Sequence, residues 1–339
     1  MATMRAVQIP SADADFELVE REIPSPGPGE AVVRVHACGV CHSDSFAKTG
    51  QYPGVSYPLV PGHEVAGEVS ALGDGVQGRT IGQRVGVGWF GGNCGYCEWC
   101  RRGSLIDCEN MEIPGITVDG GYADYVLVRA SALASMPDDL SDEDAAPLLC
   151  AGITTFNALR HSGAPSGGRV AILGVGGLGH LGVQFAAQLG FETIAIARGE
   201  AKRELSLKLG AHHYIDSTAG DPGKALAALG GADVILSTVT SSDAMAAVFG
   251  GLRAQGSLVV VGASMDPINV PAAALIGGGK TITGHASGTA RDSEDTLNFS
   301  VLSGVRPMIE TFGLEQAAQA YEKMMSGDAR FRAVITTGA

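Results

Sequence analysis

The sequence predicts an α/β protein with two parts, a mostly antiparallel β domain and a doubly wound parallel sheet. Its 339 residues are enough for two domains that each close a hydrophobic core. Alternating polarity with a period of two dominates the first 150 residues, whereas the later chain alternates short apolar strands with helical segments. Parallel strands joined by helical crossovers are typical of a doubly wound sheet.

The N-terminal part consists of strand-like runs separated by turns. Alternating runs lie at 31–36, 64–69 and 122–128, with a glycine- and proline-rich segment at 24–29. Glycine makes up 49 of 339 residues, about twice its usual share, which favours tight turns and close backbone contacts. We therefore expect a mostly antiparallel β domain whose long loops carry the functional groups.

From Arg169 onward, the pattern is that of alternating strands and helices. Intervening segments such as 177–189 and 200–209 have the length and composition of helices. The apolar strands that we predict lie at 170–174, 193–197, 213–215, 233–238, 257–262 and 281–285.

The chain is expected to return to its first domain at the end. A strand-like run at 331–336 follows a candidate helix at 314–325. We therefore predict a catalytic domain formed by 1–150 and 287–339, with the nucleotide-binding domain, 151–286, inserted between these two segments.

Charge and hydrophobicity exclude several classes of partner. The net charge is −13 and no basic cluster is longer than Arg101-Arg102, so nucleic acid and anionic membranes are poor partners. Apolar runs such as 257–263 are far shorter than the roughly 20 residues that a membrane helix needs. The N-terminus lacks a signal-peptide hydrophobic core, so we expect a cytoplasmic enzyme.

Four of the seven cysteines follow the pattern C-x2-C-x2-C-x7-C. An odd number of cysteines in a large chain that lacks a signal peptide argues against a disulfide framework. Four thiolates complete a tetrahedral zinc shell and leave no open position, so this zinc would be structural. The alternatives are a chance cluster of thiols and a redox pair, which needs only two cysteines. The predicted ligands are Cys94, Cys97, Cys100 and Cys108.

A second candidate ligand set is spread along the chain at Cys41, His63 and Cys150. Each of these residues would be unremarkable alone, but two cysteines and one histidine leave a zinc ion with an open fourth position. Zinc lowers the pKa of an alcohol oxygen, so that an alcohol loses its proton near neutral pH. Ser43 is then placed to carry the proton away, and Asp44 to fix the His63 tautomer.

Two further residues lie near the predicted ligands in the sequence. Glu64 is either an ordinary surface acid or a group that approaches the metal and helps to exchange its fourth ligand. Cys38 has no function in the scheme and is expected to be a buried structural thiol.

A glycine-rich turn follows the first predicted strand of the second domain. The pattern G-x-G-x-x-G is weak alone, but between a strand and a helix it indicates dinucleotide binding. The glycines let a pyrophosphate approach the N-terminus of the helix. We assign cofactor contacts here to Gly174, Gly176, Gly177, Leu178 and Gly179.

The end of the second strand determines which nicotinamide cofactor is expected. NAD enzymes usually place an acid there to bind the ribose 2′-OH, but this chain has Ala197 followed by Arg198. Ala197 leaves room for a 2′-phosphate, and Arg198 or Lys202 can pair with it. The sequence therefore favours NADP(H) over NAD(H). The alternative is that Arg198 points into solvent and NAD binds without its usual acid.

Taken together, these motifs resemble the zinc alcohol dehydrogenases of the medium-chain dehydrogenase/reductase superfamily, in their bacterial and yeast-type branch. The resemblance implies a GroES-like catalytic domain, a Rossmann domain, two zinc ions per chain and a homodimer or homotetramer. The motifs C-x-x-C-H-[ST]-D, P-G-H-E, the four-cysteine lobe, L-C-A-G-x-T-T and G-x-G-G-L-G-H occur at 38–44, 61–64, 94–108, 149–155 and 174–180.

The resemblance also implies roles for single residues. It implies catalytic zinc on Cys41, His63 and Cys150, with Glu64 as an alternate ligand and a proton relay that starts at Ser43. It further implies cofactor contacts of His42 near the pyrophosphate, Thr154 at the nicotinamide and Arg332 at the phosphates. Val261 is also expected to contact the cofactor.

The substrate pocket is expected to be narrow, because Trp89 matches a residue that narrows it in this branch. Tyr52 and Phe46 are expected to line the pocket too. Phe46 stands where the branch usually has the histidine that ends the relay, so the proton must leave through the cofactor ribose, water or another base. Phe46 and Ala197 are departures that also occur in reductase-like relatives. We therefore expect reversible hydride transfer between a zinc-bound primary alcohol or its aldehyde and NADP(H), and the two departures favour aldehyde reduction.

Other functions remain as alternatives. One is an NAD-dependent enzyme of the same family, and another is a metal-independent enone or quinone reductase, which would lack the ligands Cys41, His63 and Cys150. A non-enzymatic zinc ribbon that binds nucleic acid or protein is disfavoured by the acidic charge and by the second ligand set.

Overall fold

The computed structural model describes residues 2–338, which form two compact units. One unit contains the residues up to Ile153 together with those from Ser287 onward, and the other is Thr154–Ala286. The sequence placed this division three residues earlier, after residue 150.

The strands of the two units are numbered in chain order. They are β1 (Thr3–Gln8), β2 (Glu17–Glu22), β3 (Glu30–Val40), β4 (Val65–Leu72), β5 (Arg84–Val87), β6 (Tyr125–Arg129), β7 (Ala134–Ser135), β8 (Arg169–Leu173), β9 (Glu192–Ala197), β10 (His213–Asp216), β11 (Ala232–Ser237), β12 (Leu252–Val260), β13 (Thr281–Gly284), β14 (Ile309–Gly313) and β15 (Arg332–Thr336).

The helices are mostly short, and within residues 2–338 none is long and apolar enough to span a bilayer. A π-helical turn, Leu148–Gly152, joins the third helix to the fourth. The helices are α1 (Asp44–Thr49), α2 (Glu98–Arg102), α3 (Asp142–Pro147), α4 (Ile153–Arg160), α5 (Gly179–Gln188), α6 (Arg203–Lys208), α7 (Pro222–Ala228), α8 (Ser242–Val248), α9 (Ala272–Ile276), α10 (Ala290–Ser303) and α11 (Ala317–Ser326).

A seven-stranded, mostly antiparallel sheet forms the first unit, in the order β14-β15-β3-β4-β5-β7, with β6 also paired to β3. The long strand β3 lies at its centre, since it pairs with β15, β4 and β6. Residues of β3 such as Val33 and Val35 are fully buried in the core. β15 pairs antiparallel with the end of β3, with Ile335 opposite Cys38. The last strand of the chain therefore completes the sheet that carries the first predicted ligand segment.

The second unit is a six-stranded parallel sheet in the order β10-β9-β8-β11-β12-β13. The chain starts in the middle at β8, builds outward on one side and then on the other, which is the doubly wound order with a switch point between β8 and β11. The fold class predicted from the sequence is confirmed.

The predicted start of β12 was wrong. The strand begins at Leu252, five residues before the predicted start at 257. Residues such as Ala254 and Gln255 are exposed in this stretch, so they lack the apolar run from which a buried strand is recognised. The pairing of β12 with β11 also shifts register between Ala232 and Val234. The regular pairing of β12 therefore begins only at Ser257, opposite Val234.

Candidate active site

Three separate segments bring the predicted catalytic ligands together in the first unit. β3 ends at Val40, so Cys41 follows directly and α1 begins three residues later. His63 immediately precedes Glu64 and the start of β4. Cys150 lies in the π-helical turn, a local widening of the helix that is frequent at functional sites.

The donor atoms of Cys41, His63, Glu64 and Cys150 all lie within 4.8 Å of one another. The two sulfur atoms are 3.8 Å apart, and sulfur ligands about 2.3 Å from a tetrahedral zinc ion lie about 3.8 Å from each other. His63 and Glu64 are fully buried, and His63 Nε2 and Glu64 Oε2 have no hydrogen-bond partner within residues 2–338. Buried polar atoms are normally satisfied, so this donor set fits a zinc ion.

The two cysteines of the cluster have pKa values that are shifted in opposite directions. A hydrogen bond from Cys150 is the largest influence that holds the pKa of Cys41 well below its usual value, with His63 acting in the same direction. The same bond, together with burial, raises the pKa of Cys150 well above its usual value. The pair therefore favours the thiolate form of Cys41 over that of Cys150, and the thiolate is the form that binds metal.

Asp44 lies behind His63, and both side chains are fully buried. Asp44 Oδ1 is 3.0 Å from His63 Nδ1, although the contact is too bent for a well-formed hydrogen bond. Burial alone would lower the pKa of His63, but the charges of Asp44 and Cys41 outweigh it and raise that pKa well above its usual value. The contact leaves Nε2, the other ring nitrogen, as the ligand atom for a metal.

Glu64 has a partner that the sequence did not suggest. Arg332, on β15, donates a hydrogen bond to Glu64 Oε1, and both side chains are buried. A Cβ atom at Gly39 on β3 would lie 1.8 Å from Glu64 Oε2. Position 39 must therefore be glycine to leave space for this carboxylate. Burial raises the pKa of Glu64 to about 7. Arg332 Nε is buried without an acceptor among the described residues, and the contact of Arg332 with cofactor phosphates stays a prediction.

The four clustered cysteines converge in a separate lobe. The Sγ atoms of Cys94, Cys97, Cys100 and Cys108 lie within 4.8 Å of one another, with neighbouring pairs 3.7 to 4.0 Å apart. α2 starts after Cys97 and presents Cys100 from its first turn. Backbone N–H groups point at the sulfurs of Cys94 and Cys108, an arrangement that stabilises thiolates.

A row of aromatic rings extends from His63. The Trp89 ring meets the His63 ring edge-on, with centroids 5.2 Å apart, and Tyr52 meets Trp89 at 5.8 Å. Phe46, on α1, lies 5.9 Å from Tyr52. These rings pack against an apolar cluster with Leu59 and other buried side chains. The three residues predicted for the substrate pocket are therefore neighbours.

The residue predicted to start the proton relay, Ser43, lies at the start of α1. Ser43 is the residue before this helix, and its side chain makes no capping hydrogen bond. His42 beside it is exposed. The Ser43 hydroxyl is therefore not committed to stabilising the helix.

The second unit contains the glycine-rich turn between β8 and α5. A Cβ atom at Gly179 would lie 1.8 Å from the Gly174 carbonyl oxygen, and Gly174 itself has a φ of +92°. These two glycines therefore allow the tight turn, while a Cβ at Gly176 would meet open space. Gly177 and Leu178 complete the turn that leads into the N-terminus of α5.

Three other predicted cofactor residues of this unit lie at or after the carboxyl ends of strands, and a fourth lies in a helix. Ala197 ends β9 and is buried, Arg198 is exposed, and the Lys202 ammonium donates to the Val175 carbonyl at 2.7 Å. Thr154 is buried in α4.

Val261 follows the end of β12 and lines a cavity of about 410 Å³. Ser264 and His285 are also among the lining residues.

Sequence reasoning missed an acid beside the predicted 2′-phosphate site. Asp216 ends β10, and its Oδ1 accepts hydrogen bonds from the Gly199 N–H at 2.7 Å and from Thr218. Hydrogen bonds from Thr218 and Gly199 hold the pKa of Asp216 below its usual value. This carboxylate is therefore occupied in shaping the loop after β9.

Two protein-family models match the chain, one inside the first unit and one mostly inside the second. Residues 27–138 match the alcohol dehydrogenase GroES-like domain, and residues 177–301 match the zinc-binding dehydrogenase family. The chain is similar to the alcohol dehydrogenase patD of Penicillium expansum, at 43% identity over 95% of this chain and 94% of that protein.

Two further relatives cover nearly the whole length. The NADP-dependent alcohol dehydrogenase C 1 of Mycolicibacterium smegmatis is 34% identical, over 100% of this chain and 99% of its own. The structure of a cinnamyl alcohol dehydrogenase from Sorghum bicolor superimposes with a TM-score of 0.90 at 32% identity, covering 99% of this chain and 98% of that one. This chain therefore belongs to the zinc-binding alcohol dehydrogenase family of the medium-chain dehydrogenase/reductase superfamily.

Proposed function

We propose that this alcohol dehydrogenase is a zinc-dependent enzyme that interconverts primary alcohols and aldehydes with NADP(H). The observation that carries the proposal is the buried cluster of donor atoms from Cys41, His63, Glu64 and Cys150. A zinc ion held there would supply a Lewis acid for the substrate oxygen. Metal-independent reductases of this superfamily do not need such a donor set.

The residues around the cluster have distinct tasks. Asp44 orients His63, and Ser43 passes the substrate proton outward through its uncommitted hydroxyl. Phe46 cannot accept a proton, so the relay continues to cofactor ribose or water. Glu64, held by Arg332, would be the alternate ligand of that zinc ion.

The four-cysteine lobe would hold a second, structural zinc ion. Its sulfurs form a closed donor set with spacings suited to tetrahedral coordination. A closed set offers no position for a substrate, so the lobe contributes to folding of the loop that it closes.

NADP(H) is the preferred cofactor in this proposal. The small side chain of Ala197 and the exposed cation of Arg198 support it, since they offer space and charge for a 2′-phosphate. One of the similar enzymes is named as NADP-dependent. The Michaelis constants for NADH and NADPH test this choice, and a clear preference for NADH would contradict it.

The aromatic row points to primary alcohols and aldehydes, because Trp89 and Tyr52 narrow the space beside His63. A panel of aliphatic and aromatic aldehydes, run with both reduced cofactors, identifies the substrate class. We expect aldehydes to be reduced and ketones to be poor substrates.

Substitution of the ligands tests the metal mechanism. Cys41→Ala and His63→Ala should abolish turnover while cofactor binding remains measurable. Retained turnover in either variant would refute a zinc-dependent reaction.

We also propose that the enzyme is a cytoplasmic homo-oligomer. None of the seven cysteines, all of which lie within the described residues, is part of a disulfide, as expected in a reducing compartment. β13 is an edge strand whose four residues are all exposed, and unpaired edges are commonly covered by another chain. Sedimentation analysis distinguishes a dimer or tetramer from a monomer.

A further inference from the structure

Tyr122 is a fully buried tyrosine whose hydroxyl reaches the candidate metal centre. It is among the largest side chains with no solvent exposure in the described chain. Its hydroxyl donates a hydrogen bond to Asp44 Oδ2 at 2.9 Å, across 78 sequence positions. Burial raises the pKa of Tyr122 well above its usual value, so the phenol keeps its proton and acts as the donor.

The Asp44 carboxylate is held by contacts on both of its oxygens. Oδ2 accepts the Tyr122 O–H and the Cys41 backbone N–H, the latter at 2.8 Å. Oδ1 faces His63 Nδ1 at 3.0 Å. The two donors on Oδ2 fix the plane of the carboxylate and therefore the position of the oxygen that meets the imidazole.

Tyr122 also supports the backbone that carries His63. A Cβ atom at Gly62 would lie 2.5 Å from the Tyr122 ring, so the ring packs directly on this glycine. The Tyr122 N–H donates to the Pro61 carbonyl at 3.0 Å. One residue thus contacts both the loop before His63 and, through Asp44, the far side of the His63 ring.

We propose that Tyr122 is a positioning residue for the catalytic metal centre, whose hydroxyl orients Asp44 and through it the ligand His63. This inference rests on the proposed zinc site at Cys41, His63 and Cys150. The ring and the hydroxyl have separable tasks, because the ring packs against Gly62 while only the hydroxyl contacts Asp44.

The test is the rate at which zinc leaves the Tyr122→Phe enzyme in excess chelator. Phenylalanine keeps the ring, so the change removes one hydrogen bond. We expect the catalytic zinc to leave about tenfold faster, the low end of the range for partners of metal ligands. Zinc in the four-cysteine lobe should leave at the wild-type rate. Cys41→Ala should hold only the zinc of the four-cysteine lobe. Its release trace therefore shows which phase of zinc release in the other enzymes comes from that lobe and which comes from the catalytic site.

Tyr57→Phe is the matched control. Tyr57 also lies in the first unit and donates its phenol hydrogen to a backbone carbonyl, that of Ala47 at 2.6 Å. Its loss removes a comparable bond without touching Asp44, so catalytic zinc should leave at the wild-type rate. If Tyr122→Phe releases zinc as slowly as Tyr57→Phe does, the positioning role is wrong.

The variant Asp44→Asn, with and without Tyr122→Phe, completes the experiment. Tyr122→Phe alone leaves the buried Asp44 carboxylate with one hydrogen-bond donor fewer. Asparagine at position 44 is neutral, so it removes the cost of a buried charge that lacks a donor. The double variant is therefore expected to fold even if Tyr122→Phe alone does not. The proposal expects Asp44→Asn and the double variant to release zinc at the same rate. A further acceleration in the double variant would show that Tyr122 does not act through Asp44, which overturns the proposal.

The outcome also separates this inference from the proposed function. A wild-type enzyme without zinc at Cys41, His63 and Cys150 contradicts the zinc mechanism itself. A wild-type enzyme that contains this zinc, with release unaffected by Tyr122→Phe, contradicts only the role of Tyr122.

Discussion

Arg332 and Glu64 form a buried ion pair although 268 sequence positions separate them. The pair joins the last strand of the chain to the residue beside His63. A buried carboxylate that loses its cation is strongly destabilised, so the pair ties the C-terminal strand to the candidate metal centre.

We therefore expect Arg332→Met to lower the free energy of unfolding of the first unit by about 3 kcal/mol. The pKa of Glu64 is already about 7, so protonation of Glu64 limits the loss. Guanidinium chloride titrations followed by tryptophan fluorescence report on this unit, because it contains both tryptophans, Trp89 and Trp99.

Two variants serve as controls for that prediction. Arg21→Met breaks a partly exposed pair with Asp119 and should cost less than about 1 kcal/mol. Adding Glu64→Gln to Arg332→Met should recover part of the lost stability. Equal costs for Arg332→Met and Arg21→Met would mean that the buried pair contributes nothing beyond a surface contact.

Cofactor selectivity is expected to depend on Ala197 and Arg198. Ala197→Asp places a carboxylate where a 2′-phosphate is proposed to bind, so kcat/KM for NADPH should fall about 100-fold while that for NADH rises. Arg198→Ala should lower kcat/KM for NADPH about tenfold and leave NADH unaffected.

Initial-rate kinetics with both cofactors measure these effects. Arg253→Ala removes a cation of the same unit that pairs with Asp233, and it should change neither cofactor preference. The assignment fails if Arg198→Ala affects NADH and NADPH equally.

The proton relay predicts a gain of function at Phe46. Phe46→His restores an acid–base group at the position where a base is missing, and alcohol oxidation should accelerate up to about tenfold. The gain should be confined to pH values above about 6.5, at which imidazole can accept a proton. Phe46→Leu also removes the contact with Tyr52 and is the control for altered packing. An equal acceleration by leucine would attribute the effect to packing.

Glu192 is expected to make the second unit sensitive to acid. It bridges Arg169 at 2.7 Å and His213 at 3.0 Å, across three neighbouring strands. The hydrogen bond from Arg169 is the largest influence that lowers its pKa below 4.5, so its contribution is present above pH 4.5 and disappears as the pH falls through the depressed value. Glu192→Gln should lower Tm by roughly 1 to 3 °C at pH 7, and the difference from wild type should vanish in acid. A difference that stays the same at every pH would contradict this origin.

Local patterns in the sequence predicted most of the fold. The apolar strands of the second unit were found because a buried parallel strand is a continuous apolar run. The exposed start of β12 was missed since residues such as Gln255 lack that signal. The glycine-rich turn was recognised from G-x-G-x-x-G between a strand and a helix, and the structure shows why glycine is needed there, since the turn excludes a side chain at Gly179.

The candidate site was predicted less completely than the fold. Spacing and resemblance identified the ligand candidates, yet Tyr122, the Arg332–Glu64 pair and Asp216 were not foreseen in their contacts. These contacts join residues that are distant along the chain, and nothing in one sequence reports which distant side chains meet. Only the folded arrangement brings the Tyr122 hydroxyl to Asp44.

The most direct test of the zinc mechanism is the zinc content of the purified wild-type enzyme and of two variants, measured with turnover on the same samples. We predict two zinc ions per chain in the wild type and one in each of Cys41→Ala and Cys100→Ser. Turnover should be lost in Cys41→Ala and retained in the folded fraction of Cys100→Ser. A Cys41→Ala enzyme that keeps both its zinc content and its turnover would contradict the account.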